Sequence, residues 1–100
     1  MYYVYILLSN ITHKLYKGST SDLKNRLTEH NSGSVTATKS DKPWRLIYYE
    51  AFTNKTDALR EELFIKSGKG RDRVKYLLLN SLENGQDGNA LVSKTNVRKD

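Results

Sequence analysis

Residues 2–8, Tyr-Tyr-Val-Tyr-Ile-Leu-Leu, form the densest apolar and aromatic run in the chain. Its alternation puts Tyr3, Tyr5 and Leu7 on one face and Tyr2, Val4, Ile6 and Leu8 on the other. Both faces are apolar or aromatic, which predicts a central strand. A polar connection over 9–14 has hairpin length, so Leu15–Ser19 is predicted as a second, antiparallel strand. Thr20 or Ser21 then caps a predicted helix over 22–31, and Gly33 stands where a helix C-terminal glycine belongs. A polar loop runs over 34–42, and Trp44–Phe52 is the third strand. Asn54 caps a helix to Lys66, with Asp57 as its capping-box partner. Ser67-Gly68-Lys69-Gly70 reads as a break before a last helix over 71–82. The order is ββαβαα: an α+β fold with a small three-stranded, mainly antiparallel sheet flanked by about three helices.

Periodicity ends at Glu83. Residues 1–82 are expected to form the domain, and 83–100 a disordered tail. The net charge of +6 sharpens this division. Residues 1–82 hold 14 Lys/Arg against 8 Asp/Glu, whereas 83–100 balance, so the whole excess sits in the predicted domain. Such a surface favours polyanions, nucleic acid foremost. The chain has no cysteine, which excludes disulfides, zinc-thiolate sites and thiol nucleophiles. No apolar run approaches the roughly 20 residues that span a bilayer. No basic segment precedes the first apolar stretch, so it reads as a strand rather than a signal peptide, and the expected compartment is the cytoplasm.

Two helices carry polar groups among apolar ones. On a wheel with Ala58 at zero, Leu59 falls at about 100°, Leu63 at about 140° and Ile65 at about −20°. Glu62, at about 40°, lies within that apolar face, and Glu61, at about −60°, lies on its edge. A carboxylate so placed is costly unless it is paired or holds a metal. A salt bridge and a ligand role are both open on this ground alone. In the first helix Leu23, Leu27 and His30 share a stripe with Arg26 beside it. A guanidinium suits phosphate, and an imidazole exchanges protons near neutral pH. The plainer alternative pairs Arg26 with Asp22 and makes His30 a helix-end residue. Of the seven tyrosines, Tyr5 and Tyr16 are brought near each other by the predicted hairpin, where two phenols can hold or deprotonate a water.

The segments Tyr3-Val4-Tyr5, Tyr16-Lys17-Gly18, Asp22-Leu23-x-x-Arg26-Leu27-x-x-His30-Asn31, Pro43-Trp44-x-Leu46-x-Tyr48-Tyr49-Glu50 and Ala58-Leu59-Arg60-Glu61-Glu62-x-x-x-Lys66 together resemble the GIY-YIG endonuclease family. The resemblance spans roughly residues 2–80. It is nearest to small stand-alone bacterial proteins similar to the cleavage domain of excision-repair nucleases and to structure-selective flap endonucleases. It implies that Tyr5 and Tyr16 are the tyrosines of the two triplets and that Gly18 lets the backbone pass close to the site. It also implies that Arg26 contacts the scissile phosphate, that His30 stands at a His-or-Tyr position, and that Glu62 is the single metal-ligating carboxylate. Tyr3 departs from the family glycine and Lys17 from the family isoleucine. A supporting asparagine on the last helix has only Asn80 as a counterpart, in poor alignment.

The implied activity is metal-dependent hydrolysis of DNA phosphodiesters with one Mg²⁺ or Mn²⁺ on Glu62, in repair or recombination. Catalysis would fall to Tyr5, Tyr16, Arg26, His30 and Glu62. DNA would be gripped by Lys17, Gly18 and Arg26 and by the basic run Lys66, Lys69, Arg71, Arg73 and Lys75; for that run a solvated helix face is the alternative. The expected partner is branched, flapped or nicked DNA rather than plain duplex, with a protein partner also expected and no membrane. A non-cleaving nucleic-acid-binding module or an accessory subunit of a repair complex is the competing reading.

Overall fold

The computed structural model describes residues 1–82. The expected tail, 83–100, lies outside the described residues. Strands β1 (Tyr2–Ser9), β2 (Leu15–Thr20) and β3 (Trp44–Phe52) make one antiparallel sheet in the order β2-β1-β3, so β1 is central as its two apolar faces require. The helices are α1 (Leu23–Ser32), α2 (Lys55–Lys66), α3 (Gly68–Leu77) and the single turn α4 (Leu79–Leu82). None of them is long and apolar enough to cross a membrane.

The sheet carries a core on each face. Val4 and Ile6 pack with Ala58, Ile65, Val74 and Leu78 under α2 and α3. Tyr5 and Leu7 pack with Trp44, Leu23 and Leu27 under α1. Burying each large apolar side chain stabilises the fold by roughly 1.5–3 kcal/mol. β1 therefore holds the two halves together, and residues of opposite parity along β2 serve opposite faces. Tyr16 joins the α1 side, while Lys17, opposite Ile6, and Ser19, opposite Val4, face α2.

Several local expectations change. Asp22, not Thr20 or Ser21, caps α1: its carboxylate accepts from Asn25 N at 3.1 Å, while Thr20 Oγ1 accepts from Asp22 N one step earlier. Gly33 does end α1, in the left-handed region at φ 85°. The polar loop contains a 3₁₀ turn, Lys39–Asp41, tied to the hairpin because Ser9 Oγ donates to Asp41 O at 2.6 Å. Asn54 caps α2, but Asp57 accepts from Arg60 at 3.1 Å instead of completing a capping box.

The break after α2 is confined to Ser67, and Gly68 already begins α3. Gly70 belongs inside that helix because a Cβ there would stand 1.7 Å from Phe64 O, so close approach to the end of α2 is what demands it. The last helix is interrupted at Leu78 rather than continuous over 71–82. The apolar stripe of α2 also turns away from its expected centre. Ala58 and Ile65 are buried, Glu61 and Glu62 flank them, and Leu63 is 71% exposed.

Candidate active site

On the α1 side of the sheet, three strands and a helix gather an aromatic cluster. Tyr5 comes from the centre of β1, Tyr16 from β2, His30 from the last turn of α1 and Trp44 from the start of β3. The Tyr5 and Tyr16 rings lie 6.4 Å apart, Tyr16 and His30 4.9 Å, and Tyr5 and His30 5.8 Å between centroids. The Tyr5 phenol oxygen and His30 Nε2 are 3.0 Å apart. His30 is fully buried, and its Nδ1 lies 2.8 Å from Thr38 Oγ1. Trp44 Nε1 donates to Thr38 O at 2.9 Å, and Asn31 clamps Trp44 by donating to its carbonyl at 2.9 Å and accepting from its N–H at 2.6 Å. The Tyr5 ring crosses the backbone of Gly18, its cross-strand partner.

Arg26 reaches this cluster from α1. It donates to Glu29, not Asp22, at 2.9 Å, and its guanidinium lies beside the Tyr5 phenol. The Tyr5 oxygen and Glu29 both favour its charged form and push its pKa up. Burial raises the Tyr5 pKa, Arg26 opposes the shift, and Tyr16 and Glu62 add to it, so the phenol stays protonated. His30 is lowered, by burial and then by the charge of Arg26, so the imidazole is neutral.

Glu62 comes from the other side of the sheet. Its side chain is 19% exposed, and each oxygen is engaged: Oε1 accepts from Ser19 Oγ at 2.6 Å and Oε2 from Lys66 Nζ at 2.7 Å. Burial raises its pKa, but donation from Lys66 and then Ser19 outweighs that and holds the carboxyl below its ordinary value. Tyr16 and Ser19 lie on the edge strand β2, so the two halves of the site flank one edge of the sheet.

Lys17, on the α2 face of β2, has Lys66 and Arg71 for neighbours. Lys17 donates to Ile65 O at 3.1 Å, and burial followed by repulsion from Arg71 and Lys66 lowers its pKa. Lys69, Arg71 and Lys75 are exposed. Arg73 is engaged elsewhere: it donates to Glu61 and, at 3.2 Å, to Glu50. Tyr48 also donates to Glu50, at 2.8 Å, and burial with this carboxylate pushes the Tyr48 pKa up to about 12. Burial and Glu50 push Glu61 up. Burial raises Glu50, but donation from Tyr48 and the charge of Arg73 outweigh it and hold this carboxyl below its ordinary value. The two adjacent glutamates of α2 thus have different partners, Glu61 an arginine and Glu62 a hydroxyl and an ammonium.

A metal, if one binds, has hard oxygen donors in Glu62 and Ser19, and a cation, the Lys66 ammonium, already rests on Glu62 Oε2. Among the described residues no group of three or more His, Cys, Asp or Glu gathers to enclose an ion. One carboxylate with hydroxyl support suits an ion of the Mg²⁺ kind, which keeps most of its waters. Asn80 lies in α4 and, among the described residues, makes no side-chain hydrogen bond to Glu62, Arg26 or the tyrosines.

Sequence reasoning missed Ser19, Thr38 and Glu29. Ser19 is opposite Val4 and so on the α2 face, a signal readable once the hairpin register is known. Glu29 is three residues after Arg26 and was visible at helical spacing. Thr38 sits in an irregular loop, and nothing in its neighbourhood marks it.

Residues 1–76 match the GIY-YIG catalytic domain. A UPF0213 protein of Pediococcus acidilactici is 37% identical over 84 residues, covering 81% of this chain and 85% of its own length. A UPF0213 protein of Lactiplantibacillus plantarum is 40% identical over 79 residues, covering 76% of this chain and 77% of its own. The solution NMR structure of a UPF0213 protein from Bacillus halodurans is 34% identical and covers 85% of this chain and 88% of that one, with a TM-score of 0.45.

Proposed function

This chain belongs to the GIY-YIG catalytic domain family, and from that premise we propose that it is a metal-dependent DNA endonuclease hydrolysing phosphodiester bonds. The observation that supports this best is the pairing, across the β2 edge, of an arginine beside Tyr5, whose ring neighbours Tyr16, with a half-buried carboxylate that engages a cation.

Each residue has a share. Arg26 presents a guanidinium held by Glu29 and Tyr5, a planar fork that binds a phosphate and offsets the charge building on it. Tyr16, with Tyr5 and His30 beside it, orients the attacking water. Glu62, positioned by Ser19, is the residue to hold one Mg²⁺ or Mn²⁺, with Lys66 released from it. When bound, that ion supplies Lewis-acid stabilisation of the leaving oxygen. Lys17, Lys69, Arg71 and Lys75 take DNA phosphates next to the cut, while Gly18 keeps the backbone low beneath Tyr5. Lys66 and Arg73, engaged by carboxylates in the free protein, contribute less. These contacts read the backbone rather than bases, so the substrate class is DNA of distinctive shape, flapped, branched or nicked, met in repair or recombination.

The test is cleavage of labelled flap, fork, nicked and plain duplex DNA with Mg²⁺ or Mn²⁺, using wild type beside Glu62→Ala and Arg26→Ala. Cutting by wild type alone supports the reading, and the preferred DNA names the substrate. One observation favours a second reading, a non-cleaving nucleic-acid-binding module or accessory subunit: Lys66 already fills Glu62 Oε2. Binding at low salt without cutting under either metal would establish it.

A further inference from the structure

Tyr5, His30 and Thr38 make a chain of hydrogen bonds that is closed to solvent along its length, each residue being at most 1% exposed. Its direction is set by its ends. Arg26, beside the Tyr5 oxygen, has only donors. The Tyr5 proton therefore has one place to go, Nε2 of His30, 3.0 Å away. A neutral imidazole that accepts at Nε2 carries its proton on Nδ1, which then donates to Thr38 Oγ1 at 2.8 Å. The Thr38 hydroxyl in turn donates to Val35 O at 3.4 Å, a carbonyl that can only accept. Thr38 is itself fixed in three ways: its N–H donates to Val35 O at 3.1 Å, its carbonyl accepts from Trp44 Nε1 at 2.9 Å, and its side chain is buried.

We propose that Thr38 is a positioning residue: it anchors a one-way chain, Arg26 to Tyr5 to His30 to Thr38 to Val35 O, whose task is to hold the guanidinium on the phosphate. Tyr5 and His30 are then links in that chain rather than partners of the attacking water. With its proton committed to His30, the Tyr5 oxygen turns only lone pairs toward Arg26. If Thr38 loses its hydroxyl, Nδ1–H is left buried without an acceptor. The imidazole then gains by moving its proton to Nε2, and Tyr5 and Nε2 face each other as two donors. The phenol must turn, and its proton points at the guanidinium. Tyr16, half-buried and in the same cluster, is left as the tyrosine that meets the water.

The effect on rate rests on the hydrolytic reading above, but the tautomer and the state of Arg26 do not. The groups facing His30 are Tyr5 of β1, Tyr16 of β2, and Arg26 and Glu29 of α1. Trp44 and Thr38, from β3 and the loop, do not titrate. Nitrogen-15 NMR of the full chain reads the His30 ring directly. In wild type we expect the proton on Nδ1, a bare Nε2, and a ring that charges only below the ordinary imidazole range. Thr38→Val should move the proton to Nε2 and shift the Arg26 side-chain resonances, and Thr38→Ser should restore both.

In cleavage, Thr38→Val should lower kcat on the order of 10-fold, with KM little changed and the pH–rate profile keeping its shape. Proton on Nε2 in wild type would overturn the proposal. So would a Thr38→Val protein with unchanged His30 and Arg26 signals, or a rate that follows the titration of His30. Should Thr38→Val fail to fold, the wild-type spectrum and the comparison of rate with His30 titration still decide. Normal spectra in a protein that cuts no DNA would fault the nuclease reading and leave the chain intact.

Discussion

The Tyr5 phenol lies so close over Gly18 that a Cβ at that position would stand 2.6 Å from the phenol oxygen and 2.8 Å from Cζ. Gly18 is an ordinary β-strand residue with no positive φ, so its use is close approach rather than backbone freedom. Gly18→Ala should push Tyr5 off His30. A loss of roughly 1–3 kcal/mol is expected from overpacking, with cleavage falling at least about 10-fold. Thermal unfolding and the cleavage rate of the same preparation check this. A stable variant with full activity would mean that the ring moves without consequence.

Glu62→Ala should separate cutting from binding. Loss of the carboxylate removes the expected metal ligand, and cleavage should fall by about 100-fold or more. It also frees the Lys66 ammonium from its carboxylate partner, so DNA binding at low salt should hold or tighten. Parallel cleavage and filter-binding series read the two. Equal loss of both would mark Glu62 as structural.

Two arginines two residues apart should behave differently. Arg73 bridges Glu61 and Glu50, and Glu50 Oε1 is buried with no hydrogen-bond partner among the described residues. Arg73→Ala strands two carboxylates against each other and should cost about 1–2 kcal/mol, less than a fully buried pair because Arg73 is partly exposed. Arg71 has an exposed side chain. Arg71→Ala should leave stability unchanged and reduce the salt slope of DNA binding by about one phosphate contact. Urea unfolding and binding against salt concentration distinguish them.

His30 predicts an acid limb in stability. Its folded pKa is depressed, by burial and then by Arg26, below an unfolded value of roughly 6.5. Below that value the unfolded chain takes up the proton first, so stability is full above about pH 6.5 and falls as pH drops toward the folded pKa. His30→Gln should lose less stability than wild type over the same interval. Unfolding midpoints measured between pH 7 and 5 test it, and parallel curves would place the acid sensitivity elsewhere.

Much of the fold was legible because each signal was local. The two-faced β1, the strand Trp44–Phe52, the Asn54 cap and the Gly33 ending all follow from residues close in sequence. The helix boundaries that moved did so for contacts outside their own segment. Gly70 reads as a breaker until Phe64 O is seen to occupy the space of its Cβ. The wheel of α2 placed Glu62 on the sheet-facing side correctly and Leu63 wrongly. Amphipathicity gives a face, but the neighbour that covers it decides how wide that face is.

The sequence by itself determined the strand order along the chain, the basic character of residues 1–82, and the residue types available for chemistry at Tyr5, Tyr16, Arg26, His30 and Glu62. Those depend on composition and on periods of two and 3.6 residues. Only the tertiary structure decided that Thr38 fastens His30, that Ser19 fastens Glu62, and that Arg73 belongs to Glu61 and Glu50 rather than to solvent. Hydrogen-bond partners are chosen within about 3 Å in space. Across a sequence separation of 43 from Ser19 to Glu62 no sequence period carries that information, and only sheet register and helix docking supply it.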